Sequence, residues 1–121
     1  MIRSYRDLQV WKKAMDLVVI CYRMSRKFPR TEIYGLTSQL QRAAVSIPSN
    51  IAEGHQRQHS KEFLQHLSIG YASLAELETD IEIARRLDYI DEDQGNNVLG
   101  QTAEIGRMIN GLRKSITSRN Q

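Results

Sequence analysis

The sequence is short of the residues that staple or interrupt a chain. Its one cysteine, Cys21, excludes an internal disulfide, so nothing points to an oxidising compartment. Two prolines and seven glycines in 121 residues exclude collagen-like and loop-dominated chains. The longest unbroken apolar run, Leu17 to Tyr22, falls far short of the roughly 20 residues a membrane span needs. The opening MIRSYRDLQVWKK lacks the apolar stretch of a secretory signal, and the expected location is the cytoplasm. No stretch alternates with period two for long enough to read as a strand. Helices are left as the elements that bury the apolar 40% of the residues.

What is present suffices for one domain, residues 1–121, and a second full domain is excluded. With 26% charged residues and a net charge of +3, the chain is too nearly neutral for a disordered class. The charges are unevenly placed: residues 1 to 61 carry 11 Lys/Arg against four Asp/Glu, and residues 62 to 121 carry six against ten. Such asymmetry implies an electropositive surface, attraction between the halves, or both.

Four amphipathic helices follow from the spacing of apolar residues. Between Asp7 and Phe28, Leu8, Trp11, Met15, Val18 and Tyr22 keep a 3,4,3,4 rhythm, and Ala14, Leu17, Cys21, Met24 and Phe28 repeat it alongside. Two neighbouring stripes predict a helix covered from more than one direction, and Pro29 ends it. Leu36, Leu40, Ala43, Ile47 and Ile51 mark a second helix to about Ala52, with Gly54 as its cap and a kink or break near Pro48, between Ser46 and Asn50. Ser60 is placed to cap a third helix over Lys61 to Leu87, whose stripe runs from Phe63 to Ala84. Asp91, with Gln94 in capping-box position, opens a fourth lined by Val98, Thr102, Ile105, Ile109, Leu112 and Ile116. Short connections make sequential helices antiparallel neighbours, so the expected fold is all-α: an up-and-down four-helix bundle.

Candidate chemistry is sparse. Di-iron bundles need Glu-x-x-His on two helices, and the chain has none. His55, His59, Glu62 and His66 are spaced 4,3,4, but Gly54 and Ser60 place His55 and His59 in a connection, where a solvated turn is expected rather than a metal site. Cys21 falls on an apolar stripe and is expected to pack as a small hydrophobe. Glu76, Glu78, Asp80 and Glu82 flank the Leu77 and Ile81 stripe, and with Arg85 and Arg86 following they read as surface ion pairs. The basic residues carry more. Arg23, Lys27 and Arg30 are spaced 4,3 at the end of helix one with Arg26 beside them, while Arg113, Lys114 and Arg119 lie at the end of helix four. Trp11 and Tyr22 belong to a core stripe, so phosphate contacts rather than base stacking are expected of this surface.

YRDLQVWKKAMDL at 5 to 17, EIYGLTSQLQRAAVSIPSNIAEG at 32 to 54, KEFLQHL at 61 to 67 and SLAELETDIEIARRL at 73 to 87 together resemble the four-helix-bundle proteins encoded by intervening sequences of bacterial large-subunit ribosomal RNA genes. The segment AAVSIPSNIAEG, with a proline inside a helix, is too unusual to arise from amphipathic patterning; helix four matches in outline, through EIGRMINGL at 104 to 112. The resemblance implies a small cytosolic bundle that assembles as a ring-like homopentamer, with no established enzymatic activity. A related branch, the accessory variability determinant of diversity-generating retroelements, implies nucleic acid and a reverse transcriptase as partners. The expectation is a non-enzymatic, oligomeric structural protein associated with RNA or DNA through Arg23, Arg26, Lys27 and Arg30, with no cofactor, metal or membrane. The alternative is a cytosolic homo-oligomeric scaffold acting through a protein partner such as a reverse transcriptase.

Overall fold

The computed structural model describes residues 3–119. These form four α-helices, α1 (Gln9–Ser25), α2 (Leu36–Gln56), α3 (Ser60–Arg86) and α4 (Glu92–Arg119), and no strand. Short 3-10 helices, Tyr5–Asp7 and Arg30–Glu32, precede α1 and α2. Each helix packs on the next, and α4 returns to α1. Ser46 meets Ser73 and Asn50 meets His66 between α2 and α3, while Glu78 meets Thr102 and Tyr71 flanks Gly106 between α3 and α4. Lys13 meets Glu104 between α1 and α4, which leaves the end of α1 beside the start of α4. No helix of the described residues is long and apolar enough to cross a membrane.

Leu17, Leu40, Ile47, Leu77, Ile81 and Ile109 are fully buried at the centre of one core. On α1, Ala14, Leu17, Cys21 and Met24 belong to that core, as does Phe28 just beyond the helix. The parallel stripe divides. Leu8 is buried, Trp11 and Val18 are partly covered, and Met15 and Tyr22 are each 40% exposed, which corrects the expectation that Tyr22 is a core residue. Two flanking helices cover one arc of α1, and the outer stripe lies beyond it.

Two predicted boundaries move, and α2 runs unbroken through Pro48. The second helix runs on to Gln56, and Gly54 is not its cap: no glycine among the described residues has positive φ. Gly54 serves close approach instead, since a Cβ there would lie 2.6 Å from His66 Cβ and 3.1 Å from Phe63 Cδ1 on α3. Pro48 does not break α2, which continues through it with Pro48 buried. A proline removes one intrahelical donor, and the burial of Ala44, Ile47 and Ile51 around it holds the helix together. Ser60 is the first residue of α3 rather than its cap; that position falls to His59, which contributes no side-chain bond. The fourth start matches: Gln94 N–H donates to Asp91 Oδ1 (2.8 Å) and Asp91 N–H to Gln94 Oε1 (3.1 Å).

Candidate nucleic-acid interface

An open cleft of about 650 Å³ lies between the end of α1 and the start of α4. Arg23, Arg26 and Lys27 line it from the α1 side and Gln94 and Asn97 from α4, over a floor of Ile20, Met24 and Val98. The sequence builds this locally. Arg23 lies in the last turn of α1 and Arg26 is its C-cap, positions where cations complement the helix dipole. The capping box of α4 fixes Gln94 one turn into that helix.

The charged side chains in this cleft are all cations. Arg23, Arg26 and Lys27 are exposed and, among the described residues, none of them joins an ion pair. Gln94 Oε1 accepts from the Asp91 N–H and Asn97 Oδ1 from Gln101 Nε2 at 3.4 Å, while both side-chain amide N–H groups are without a partner among the described residues. Three cations and two amide donors over an apolar floor suit an anion with an apolar body. Arg30 is also exposed but stands apart from the cleft, on the 3-10 helix after Pro29. The structure thus gathers three of the four predicted residues and sets the fourth on the adjoining connection.

The model of the 23S rRNA-intervening sequence protein family matches residues 6–111. The chain belongs to that family. The fold is also that of a crystal structure, at 1.70 Å resolution, of a protein of unknown function from the S23 ribosomal protein family of Bacteroides thetaiotaomicron. The two align with a TM-score of 0.80 at 24% identity, over 87% of this chain and 98% of that one. No curated protein matches the chain. The family match ends at residue 111, so the last turns of α4, with Arg113, Lys114 and Arg119, lie beyond it.

Two features of the surface were not foreseen. Tyr34 is 98% exposed beside the half-exposed Ile33, in the connection that also carries Arg30, so an aromatic available for stacking does exist. A tyrosine in a turn belongs to no helical period, and its place in EIYG was the one available signal. The second feature is Asp80. Of the four acids assigned to surface ion pairs, Glu82 does pair with Arg85 (3.2 Å), but Glu78 accepts a hydrogen bond from Thr102 Oγ1 (2.6 Å) and Asp80 is buried between α2 and α3. Arg85 also approaches Glu92 (4.0 Å) and donates to Asn96 Oδ1 (3.3 Å), which ties α3 to the first turn of α4.

The remaining candidates are structural. Burial pushes the Cys21 thiol up to about 12, which leaves no thiolate for chemistry at neutral pH. His55 lies inside the last turn of α2 rather than in the connection, edge-on to Phe63 with ring centroids 5.6 Å apart. His59 is exposed. His66 joins a polar chain across α2 and α3, and the donors there are fixed by elimination. Ser73 Oγ donates to the Ile69 carbonyl (3.0 Å) and Ser46 Oγ to Ser73 Oγ (2.8 Å). Asn50 Nδ2 donates to Ser46 Oγ (3.0 Å) and to the Ser46 carbonyl (2.8 Å), which leaves Asn50 Oδ1 to accept from His66 Nδ1 (3.0 Å). Among the described residues no group of three or more His, Cys, Asp or Glu is placed to hold a metal ion.

Proposed function

We propose that this protein is a non-enzymatic homo-oligomer, a ring of five in keeping with its family resemblance, that binds RNA or DNA in the cytoplasm through basic clefts repeated around the assembly. The single observation that carries the reading is the cleft in which Arg23, Arg26 and Lys27 face Gln94 and Asn97 with no acidic side chain in its lining. In five copies a net charge of +3 becomes about +15, and the separate clefts merge into a continuous positive field. Phosphates supply the affinity, and Tyr34, next to Arg30, offers a stacking surface for unpaired bases. Within each subunit the helices run alternately up and down. Pro48 bends α2 rather than breaking it and so sets the direction of its last two turns.

Binding of labelled RNA and DNA at low salt tests this reading. The wild type is expected to bind, and replacement of Arg23, Lys27 and Arg30 by glutamate is expected to weaken binding while leaving the assembly intact. Undiminished binding by that variant would move the site elsewhere, and no binding by the wild type would favour a second reading, an oligomeric scaffold acting through a protein partner such as a reverse transcriptase. The observation behind the scaffold is the exposed apolar stripe Met15, Val19 and Tyr22 on α1.

A further inference from the structure

The groove between α2 and α3 contains a charged group with no partner. Asp80 is only 6% exposed, yet among the described residues its carboxylate accepts no hydrogen bond and joins no ion pair. It lines an open cleft of about 450 Å³ with Gln39, Arg42, Ser46, Ser73 and Glu76. Among the described residues, His55 Nδ1 is the only partnerless polar side-chain atom sealed from solvent, so the oxygens of Asp80 remain reachable from the cleft. Burial and the neighbouring Glu76 raise its pKa, the mark of a carboxylate missing a cation. The neighbours do not supply one. Ser46 and Ser73 are committed to each other, to Asn50 and to the Ile69 carbonyl, and Arg42, on the α2 wall, forms no ion pair.

Cations without partners stand elsewhere on the same chain. Lys12, Met15, Val19, Tyr22 and Arg26 follow a 3,4,3,4 spacing along the exposed side of α1, an apolar centre bracketed by two unpaired positive charges. Beside the Asp80 cleft, α3 shows the inverse pattern: Ile69 and Ile83, both exposed, lie seven residues on either side of Glu76. One face is positive at its ends and apolar at its centre; the other is apolar at its ends and negative at its centre. They lie on different helices and do not meet within one molecule.

We propose that the α2–α3 cleft at Asp80 receives Lys12 or Arg26 from the α1 stripe of a second copy of this chain. The contact is heterologous, since the donor and acceptor faces differ, and each copy uses both, so repetition gives a ring where the rotation between copies closes. Removal of the buried carboxylate from water is offset by a charge-assisted bond made only in the assembly, and the apolar stripe is covered in the same step. This inference rests on the reading of the chain as a homo-oligomer and names the surface that makes it one.

Light scattering coupled to size exclusion on the full chain tests it, with Asp80→Asn, Asp80→Arg, Lys12→Glu, Arg26→Glu and the two doubles that pair Asp80→Arg with each α1 reversal. Asp80→Arg is expected to elute as a 14.0 kDa monomer where the wild type is assembled. One of the doubles is expected to restore assembly, and Asp80→Asn to raise the dissociation midpoint at least tenfold. A monomeric wild type would overturn the homo-oligomer reading and this inference with it. A wild-type oligomer that Asp80→Arg leaves unchanged would overturn this inference alone. Should Asp80→Arg lose its helical circular dichroism, the near-isosteric Asp80→Asn decides: a wild-type midpoint in that folded variant overturns the contact. So would an Arg42→Gln variant that lowers the melting temperature while Asp80→Asn leaves assembly untouched, because Arg42 would then be the partner of Asp80 within one molecule.

Discussion

The α2–α3 and α1–α4 contacts belong to one bundle and are built on opposite terms. Between α2 and α3 the facing residues are small, Gly54, Gly70, Ala43, Ser46 and Ser73, and a Cβ at Gly54 already has no room. The helices approach closely at Gly54, and Ser46, Asn50, His66 and Ser73 are bonded to each other, while Asp80 lines the open cleft at the edge. Between α1 and α4 the facing residues are long: Ile20, Met24, Lys13 and Glu104. The cleft that the cations line lies along this contact. Both contacts keep an open cleft at the surface, the larger one, of about 650 Å³, between α1 and α4 and a smaller one, of about 450 Å³, between α2 and α3.

The largest expected effect separates these interfaces directly. Ile47 is fully buried, and Ile47→Ala is expected to lower the unfolding free energy by about 2–5 kcal/mol, as buried isoleucine truncations do. Ile20 lies at the open cleft and is only partly buried, so Ile20→Ala should cost less than half as much. Urea unfolding followed by circular dichroism measures both, and equal losses would erase the distinction.

Next come the glycines. Gly54→Ala places a methyl 2.6 Å from His66 Cβ, an atom fixed to the backbone, and should destabilise by roughly 1–3 kcal/mol despite alanine's better helix propensity. Gly111 in α4 has nothing within 4 Å, so Gly111→Ala should stabilise by up to about 1 kcal/mol. The same unfolding experiment reads the two signs.

A smaller effect concerns pH. The Asp80 pKa is raised in the fold, first by burial and then by Glu76. Between the ordinary aspartate value and that raised value the folded chain holds more protons than the unfolded one. Stability therefore falls as pH rises through this window and is recovered as pH falls. In dilute protein, Asp80→Asn should remove that slope and melt above the wild type at neutral pH. A variant that melted below the wild type would show that the charged carboxylate already has a partner within the chain.

The residues that made the bundle legible act through their own neighbours in sequence. The periodic stripes of α1 to α4 and the Asp91–Gln94 capping box are local, and they appear where spacing puts them. What was not legible depends on contacts between helices. Gly54 has the composition of a cap and is used instead for close packing against His66, a fact only the position of α3 reveals. Pro48 carries a breaker's chemistry, and the burial of its surroundings outweighs it. In the candidate site, Arg23, Arg26 and Lys27 stood out as a basic cluster, while Gln94 and Asn97 did not, because their role exists only once the start of α4 lies beside the end of α1. Asp80 was misplaced for a related reason: an acid one position off an apolar stripe reads as surface until a neighbouring helix covers it.

The salt dependence of nucleic-acid binding, compared between the two interfaces, tests the central claim most directly. Fluorescence anisotropy of labelled RNA across a salt series should give, for the wild type, a steep fall in affinity of about 0.7 log units per log unit of salt for each phosphate neutralised on a single strand. Glutamate at Arg23, Lys27 and Arg30, at and beside the α1–α4 cleft, should weaken binding and flatten the slope by roughly two phosphates' worth. Glutamate at Arg42, on the α2–α3 side, should leave the slope unchanged. The contradicting result is a slope that Arg42→Glu flattens and the triple variant does not.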